Sequence, residues 1–236
     1  MKALKFISTV SLLFCSQLFF AQTETTTTTT TSDAVDFKRV EIGARFMPTF
    51  TSFNVQSYNG VVQGQFAFGY GFGGLVGINF TNNVGVQGEF IYSSLSQKYR
   101  DNNNVDRRIT LNYVNIPLLL SLNTGKNNPV NLNVVGGPQI GINVGSSVQS
   151  SGSKGVDTIQ AVLAVKQGDL GVAYGAGLEF GLGPNRNAHI DLGFRGVFGL
   201  IDISDKSQSI TTNQYYILDR AHVKTYSGYI GLTFAF

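Results

Sequence analysis

From Arg39 onward, apolar and polar residues alternate with a period of two, which predicts half-buried strands and not helices. In the clearest run Phe66, Phe68, Tyr70, Phe72, Val76, Ile78 and Phe80 share one face. Ala67, Gly69, Gly71, Gly73, Leu75, Gly77 and Asn79 share the other. A first strand over about 39–50 sets Val40, Ile42, Ala44, Phe46 and Phe50 against Glu41, Arg45 and Thr49. Later runs are led by Val84, Val86, Phe90 and Tyr92, by Val130 to Val144, by Leu170 to Leu182, by Ile190 to Leu200 and by Tyr226 to Phe236. The segment near 107–122 is irregular. Leu111 and Tyr113 alternate with Thr110 and Asn112, and then Ile116-Pro117-Leu118-Leu119-Leu120 breaks the pattern. Proline removes a ladder donor, so a bulge or a loosened pairing is expected there.

Short links fall near 81–83, 123–129 and 183–187, with Asn, Gly and Pro turn chemistry. Long polar links fall near 51–64, 93–107, 146–168 and 202–222. Eight strands joined by alternating short and long links form an up-and-down antiparallel meander, and an even number lets it close and lose both edges.

Period alone leaves open whether the apolar face points in, around a ligand, or out, toward lipid. Composition decides. Charged residues are only 13 % of the 236 residues, with 28 Gly, 18 Phe, 10 Tyr and no Trp. The bulky apolar face carries no Asp, Glu, Lys or Arg on the strands with a clear phase. The opposite face is dominated by Gly, Ala, Ser, Asn and Gln, too small and uncharged for the outside of a soluble sheet but suited to a narrow lumen. The fold class is therefore all-β, an eight-stranded antiparallel up-and-down transmembrane β-barrel over 38–236. Phe50, Phe80, Tyr92, Phe180, Phe198, Tyr226 and Phe236 lie near strand ends and suit interface girdles.

Residues 1–21 read as a signal peptide: Lys2 and Lys5 precede an apolar core that includes Leu12, Leu13, Phe14, Leu18, Phe19 and Phe20, with cleavage at Ala21-Gln22. Cys15 belongs to that apolar core, since Phe14 stands where a lipidation signal needs a small residue. Residues 22–37, with the run Thr25 to Thr31, form a Thr-rich disordered tail that has nothing to pack. The formal charge of +3 falls by two, to +1, without Lys2 and Lys5, which gives no footprint for nucleic acid. One Cys and two His exclude a disulfide scaffold and leave little for a metal centre.

Glu41, Arg45, Glu89, Glu179, Asp191 and Arg195 all fall on the predicted interior face. Buried charges must pair. They are expected to form a lumen charge network with Arg45 and Arg195 as its cationic centres. It would act as a plug or, on the functional alternative, as a selectivity filter or proton path. Gly69-Tyr70-Gly71-Phe72-Gly73-Gly74 matches a dinucleotide-binding pattern literally but lies inside a continuing strand, where that pattern has no meaning. His189 with Asp191, and Asp219 with His222, are close pairs without a nucleophile beside them. Lys98, Arg100, Arg107 and Arg108 oppose Asp101 and Asp106 around the second long link. No catalytic residue, cofactor or metal is expected.

The chain's end, with Tyr229, Gly231, Leu232, Phe234 and Phe236, resembles the terminal assembly signal of outer-membrane barrels. With Tyr113, Ile116-Pro117-Leu118-Leu119-Leu120, Gly136-Gly137-Pro138, Gly175-Ala176-Gly177-Leu178-Glu179 and the leader, it makes the chain over about 37–236 resemble outer-membrane β-barrel proteins of the porin-like or PorT-like kind, on the plan of small OmpA/OmpX-type barrels. That resemblance implies the outer membrane of a Gram-negative bacterium, with both termini in the periplasm and the long links outside. It implies contact with outer-membrane lipid and lipopolysaccharide, and with the barrel-assembly machinery through the last strand. PorT itself resembles a secretion component, so envelope or secretion-system proteins are further partners. The function expected is a structural or interaction role, without enzyme activity. The alternatives are a narrow porin and a membrane enzyme.

Overall fold

The computed structural model describes residues 38–236 apart from 53–54, 58–59, 63–66, 101–105, 152–159, 208, 210–213 and 219. The predicted leader and tail, Cys15, Phe66, Asp101 and Asp219 therefore lie outside the described residues. Eight strands form a closed barrel: β1 (Val40–Ser52), β4 (Ala67–Asn79), β5 (Val84–Arg100), β6 (Asp106–Asn123), β7 (Val130–Ser151), β9 (Gly168–Leu182), β10 (Ala188–Gly199) and β12 (Lys224–Ala235). Every neighbouring pair is antiparallel, and β1 pairs with β12 to close the ring. Two small sheets lie in the long links: β2 (Val55–Ser57) pairs with β3 (Gly60–Val62), and β8 (Gln160–Val162) runs parallel to β11 (Gln214–Tyr216).

The alternation of the sequence becomes the two faces of the wall. Ile42, Phe46, Phe72, Val76, Phe90, Leu118, Leu120, Leu132, Ile140, Leu192 and Phe234 all point outward and stand exposed. Glu41, Arg45, Glu89, Asn131, Asn133, Glu179, Asp191 and Arg195 point into the lumen and are buried. An apolar outside around a polar inside is the arrangement a barrel adopts in lipid. Phe50 meets Phe68 edge to face with centroids 5.8 Å apart, and Phe72 meets Tyr92 at 5.5 Å, so the outer aromatics pack on one another. Leu118 lies at the middle of the apolar run of β6 and is 56 % exposed. Leu118→Arg is expected to cost ~2–4 kcal/mol in urea titrations of protein refolded into lipid vesicles, the cost of a cation near the bilayer midplane.

One sequence expectation needs correction. The segment 93–107 is not simply a long polar link: β5 runs on to Arg100 and β6 starts at Asp106, so their hairpin extends well past the apolar band. Pro117 loosens the pairing with β5 as expected, since that ladder passes from Gly88 with Leu118 to Ile91 with Asn115 and skips Pro117 and Ile116. The ladder with β7 keeps one register there, pairing Pro117 with Gln139 and Leu120 with Gly136. The register shift falls between Asn112 and Tyr113. There the apolar face changes sides: Ile116, Leu118, Leu120 and Leu122 point outward, whereas Ile109, Leu111 and Tyr113 are buried inside.

Candidate functional site

The six predicted lumen charges are all buried, and they divide into two clusters. The first sits in mid-barrel. Arg45 Nη1 donates to Glu89 Oε1 at 2.5 Å, and Arg195 Nη2 donates to the same oxygen at 3.0 Å. Arg195 Nη1 reaches Glu89 Oε2 at 3.2 Å, and Gln87 Nε2 donates to Glu89 as well. Arg45 Nη2 lies 3.4 Å from Asp191 Oδ2, which also accepts from Thr233 Oγ1 at 2.6 Å. Two cations thus face two carboxylates, and Tyr229 supplies the floor. The Arg45 guanidinium lies 4.7 Å from the centroid of its ring and that of Arg195 5.9 Å.

Glycine makes this crowding sterically allowed. A Cβ at Gly177 would fall 2.2 Å from the Tyr229 hydroxyl, and one at Gly193 would fall 2.5 Å from it and 2.5 Å from the Ala176 carbonyl oxygen. Gly231 and Gly73 stand opposite Arg45 across the two neighbouring strands. The Gly-rich inner face is thus the space that Tyr229 and the two arginines occupy.

The second cluster lies toward the end that carries the termini and the short turns. Glu41 and Glu179 do not join the arginines. They converge on Lys126, in the turn between β6 and β7, whose Nζ lies 3.0 Å from Glu41 Oε2 and 2.9 Å from Glu179 Oε2. Asn79 Nδ2 donates to Glu41 at 2.8 Å, and Asn131 Nδ2 donates to Glu179 at 2.8 Å. Asn133 and Asn131 both donate to Asn123 Oδ1, at 2.8 and 2.9 Å. Burial opposes the charge on Lys126, but the Glu179 and Glu41 carboxylates outweigh it and hold the ammonium above its ordinary value. Sequence reasoning missed Lys126, because a turn has no face to assign.

At the opposite mouth the lumen meets an apolar cap. Leu95 and Tyr99 of β5 and Ile109, Leu111 and Tyr113 of β6 pack with Ile203, Tyr215, Ile217, Leu218, Ala221 and Val223 from the link before β12. Backbone bonds tie that link to the one before β9: Lys166 donates to Ile203 at 2.8 Å and Ile217 to Val162 at 3.0 Å. Between Glu89 and Arg195 on one side and Leu95, Tyr113 and Val223 on the other lies a cavity of about 40 Å³, room for about three waters.

The remaining candidates resolve simply. Asp191 is held by Arg45 and Thr233, while His189 is buried beside Lys38, Glu41, Lys126 and Arg186. The Gly-rich match at 69–74 is strand β4, with Tyr70 and Phe72 exposed on the outer face. In the terminal set, Tyr229 and Gly231 face the lumen, and Leu232, Phe234 and Phe236 face outward. Among the described residues no group of three or more His, Cys, Asp or Glu is placed to hold a metal ion.

A closed, eight-stranded antiparallel barrel with an apolar exterior defines the class. The chain belongs to the outer membrane protein β-barrel domain family, whose model matches residues 20–205. No curated protein matches it. Among solved structures it is similar to OprG of Pseudomonas aeruginosa, at 12 % identity and a TM-score of 0.50, covering 86 % of this chain and 98 % of that one. It also matches Neisserial surface protein A, at 15 % identity and a TM-score of 0.45, over 84 % and 97 % of the two chains. A third match is the outer membrane protease OmpT of Escherichia coli, at 8 % identity and a TM-score of 0.41, over 84 % and 97 %. At such identities the likeness concerns the fold alone.

Proposed function

We propose that this protein is a non-conducting barrel of the Gram-negative outer membrane, exported by its leader, whose role is structural or interaction-based and is exercised at its outer links. One observation carries the reading: among the described residues the lumen holds two ion clusters and an apolar cap, and the cavity between them has room for about three waters. An eight-stranded barrel is just wide enough for side chains to fill. The Glu41, Arg45, Glu89, Glu179, Asp191 and Arg195 side chains then act as a plug, with Lys126 as a third cationic centre.

The periplasmic end carries both termini and the short turns, and the capped end faces outside. Lipid and lipopolysaccharide surround the apolar wall. The last strand offers Leu232, Phe234 and Phe236 to the barrel-assembly machinery, and envelope or secretion-system proteins meet the outer links. No residue is assigned a catalytic role, because the carboxylates best placed for one are held by arginine and lysine.

The test is single-channel recording of the refolded wild type in a planar bilayer. A silent membrane is expected. Steady current steps would overturn the plug and favour a narrow porin, with the arginines lining its constriction.

A further inference from the structure

The β5–β6 extension carries a feature that neither the plug nor the lipid wall uses. Lys98 stands directly opposite Arg108 in the ladder, and both side chains are exposed on the outer face. Directly opposed residues hold their Cβ atoms about 4.5–5.5 Å apart, where like charges disfavour the pairing. Among the described residues neither cation has an ion-pair or hydrogen-bond partner. By contrast, Lys224 lies 5.2 Å from the Phe198 centroid, and Lys166 donates to the Asp202 carbonyl at 2.9 Å. Two like charges set against each other across a ladder repel, and an anion seated on both relieves that repulsion.

We propose that this outer face binds the anionic sugar headgroup of a glycolipid in the outer leaflet, with Lys98 and Arg108 as its cationic pair. The inference rests on the reading that the capped end faces outside.

Height, direction and chemistry point to that ligand. Tyr92 is the last aromatic of the outward apolar run on β5, and Lys98 lies six residues further on. At about 2.5 Å of axial rise per residue in a tilted strand, the pair stands ~15 Å above the apolar band. A phospholipid headgroup layer is only about 5–8 Å deep. The cations therefore lie beyond the level of lipid phosphodiesters and among the sugars of a larger headgroup. The face continues the lipid-facing wall, so it looks sideways at a neighbouring lipid and not upward into solvent. Below the pair the outward positions are Ser94, Ser96, Thr110 and Asn112, with the Ser96 and Thr110 hydroxyls 3.2 Å apart, and Gln149 of β7 stands opposite Arg108. Hydroxyls and amides match sugar hydroxyls, and the cations match a phosphate or carboxylate on the same saccharide. Asp106 occupies the next outward position on β6 and bounds the cationic patch. The inner face is buried under the cap through Gln97, Tyr99, Arg107 and Ile109, so the ladder is held in place before any ligand arrives.

The test titrates the refolded full chain in detergent with three probes: lipopolysaccharide bearing a phosphorylated core, lipid A lacking that core, and phosphatidylglycerol. The readout is the shift in the thermal unfolding midpoint. The core-bearing glycolipid is expected to raise the wild-type midpoint most. Lys98→Gln/Arg108→Gln is expected to need at least ten-fold more of it, with unchanged responses to the other two. Lys98→Glu places an ion pair across the ladder. It is expected to melt no lower than wild type without ligand and yet to lose the glycolipid response, a combination that a merely structural role for Lys98 would not give. An unchanged response in the double variant overturns the site. So does an equal loss for all three probes, which would mean general surface charge. Channel recordings on the same samples separate the two readings. A conducting wild type that still binds the glycolipid overturns the plug alone, and a silent protein indifferent to it overturns this site alone.

Discussion

Replacing Arg45 and Arg195 together by alanine is expected to turn a silent barrel into a leaky one and to destabilise it by about 3–5 kcal/mol, as breaking a buried ion pair does. Glu89 loses both of its cations and Asp191 loses Arg45, while all of these groups lie buried in the lumen. Water must then enter to solvate the stranded carboxylates, and the volume vacated above Tyr229 gives it room. The single variants should cost less, because Glu89 keeps one guanidinium at 2.5 or 3.0 Å. Adding Glu89→Gln and Asp191→Asn to the double variant removes the stranded charges. It should recover most of the stability while the leak persists, which separates charge balance from filling. Bilayer recordings and urea titrations check both. A stable, silent double variant would move the seal to the cap.

Lys126→Met should destabilise at neutral pH by a similar ~3–5 kcal/mol, because Glu41 and Glu179 then share the lower lumen with no cation between them. The triple variant Lys126→Met/Glu41→Gln/Glu179→Gln should restore most of it, and the non-additivity of the cycle measures the coupling. The same lysine sets an alkaline limit. Its folded-state pKa is raised above the ordinary 10.5, so its contribution is complete below that value and is lost as pH climbs through the folded one. Unfolding followed from neutral to strongly alkaline pH should show a loss of stability above 10.5 in the wild type that is smaller in Lys126→Met. Identical curves would mean that the lysine's charge does not stabilise the fold.

The strand count, the closure and the identity of the lipid face were legible from the chain because one constraint acts at every wall position. A lipid-facing residue must be apolar, and its neighbour must fit a narrow lumen, so Phe68, Tyr70 and Phe72 alternate with Gly69, Gly71 and Gly73. Above the membrane the constraint reverses. Leu95, Tyr99, Ile109 and Leu111 point inward to meet the cap, and Ser94, Ser96 and Lys98 point outward. Across that inversion the ends of β5 and β6 look like a polar loop. The interior charges could be assigned to a face but not to partners, since register and stagger decide which carboxylate meets which cation. Glu41 and Glu179 found Lys126, which comes from a turn whose sequence, Thr124-Gly125-Lys126-Asn127, carries no period at all.

The seam between β1 and β12 bears on the order of events as the protein is made. Val40 and Phe236 exchange backbone hydrogen bonds at 3.2 and 2.8 Å, so the first and last residues of the wall are direct neighbours. A contact of such sequence separation forms slowly, because nearly the whole chain must be gathered before it yields anything. Arg45 stands on β1, whereas Tyr229 and Asp191 stand on β12 and β10, beyond the seam. Until the seam closes, Arg45 lacks both its aromatic support and its second carboxylate. The polar interior is therefore finished in the same step that seals the ring, and a chain truncated before β12 should remain an open, aggregation-prone sheet instead of a smaller barrel.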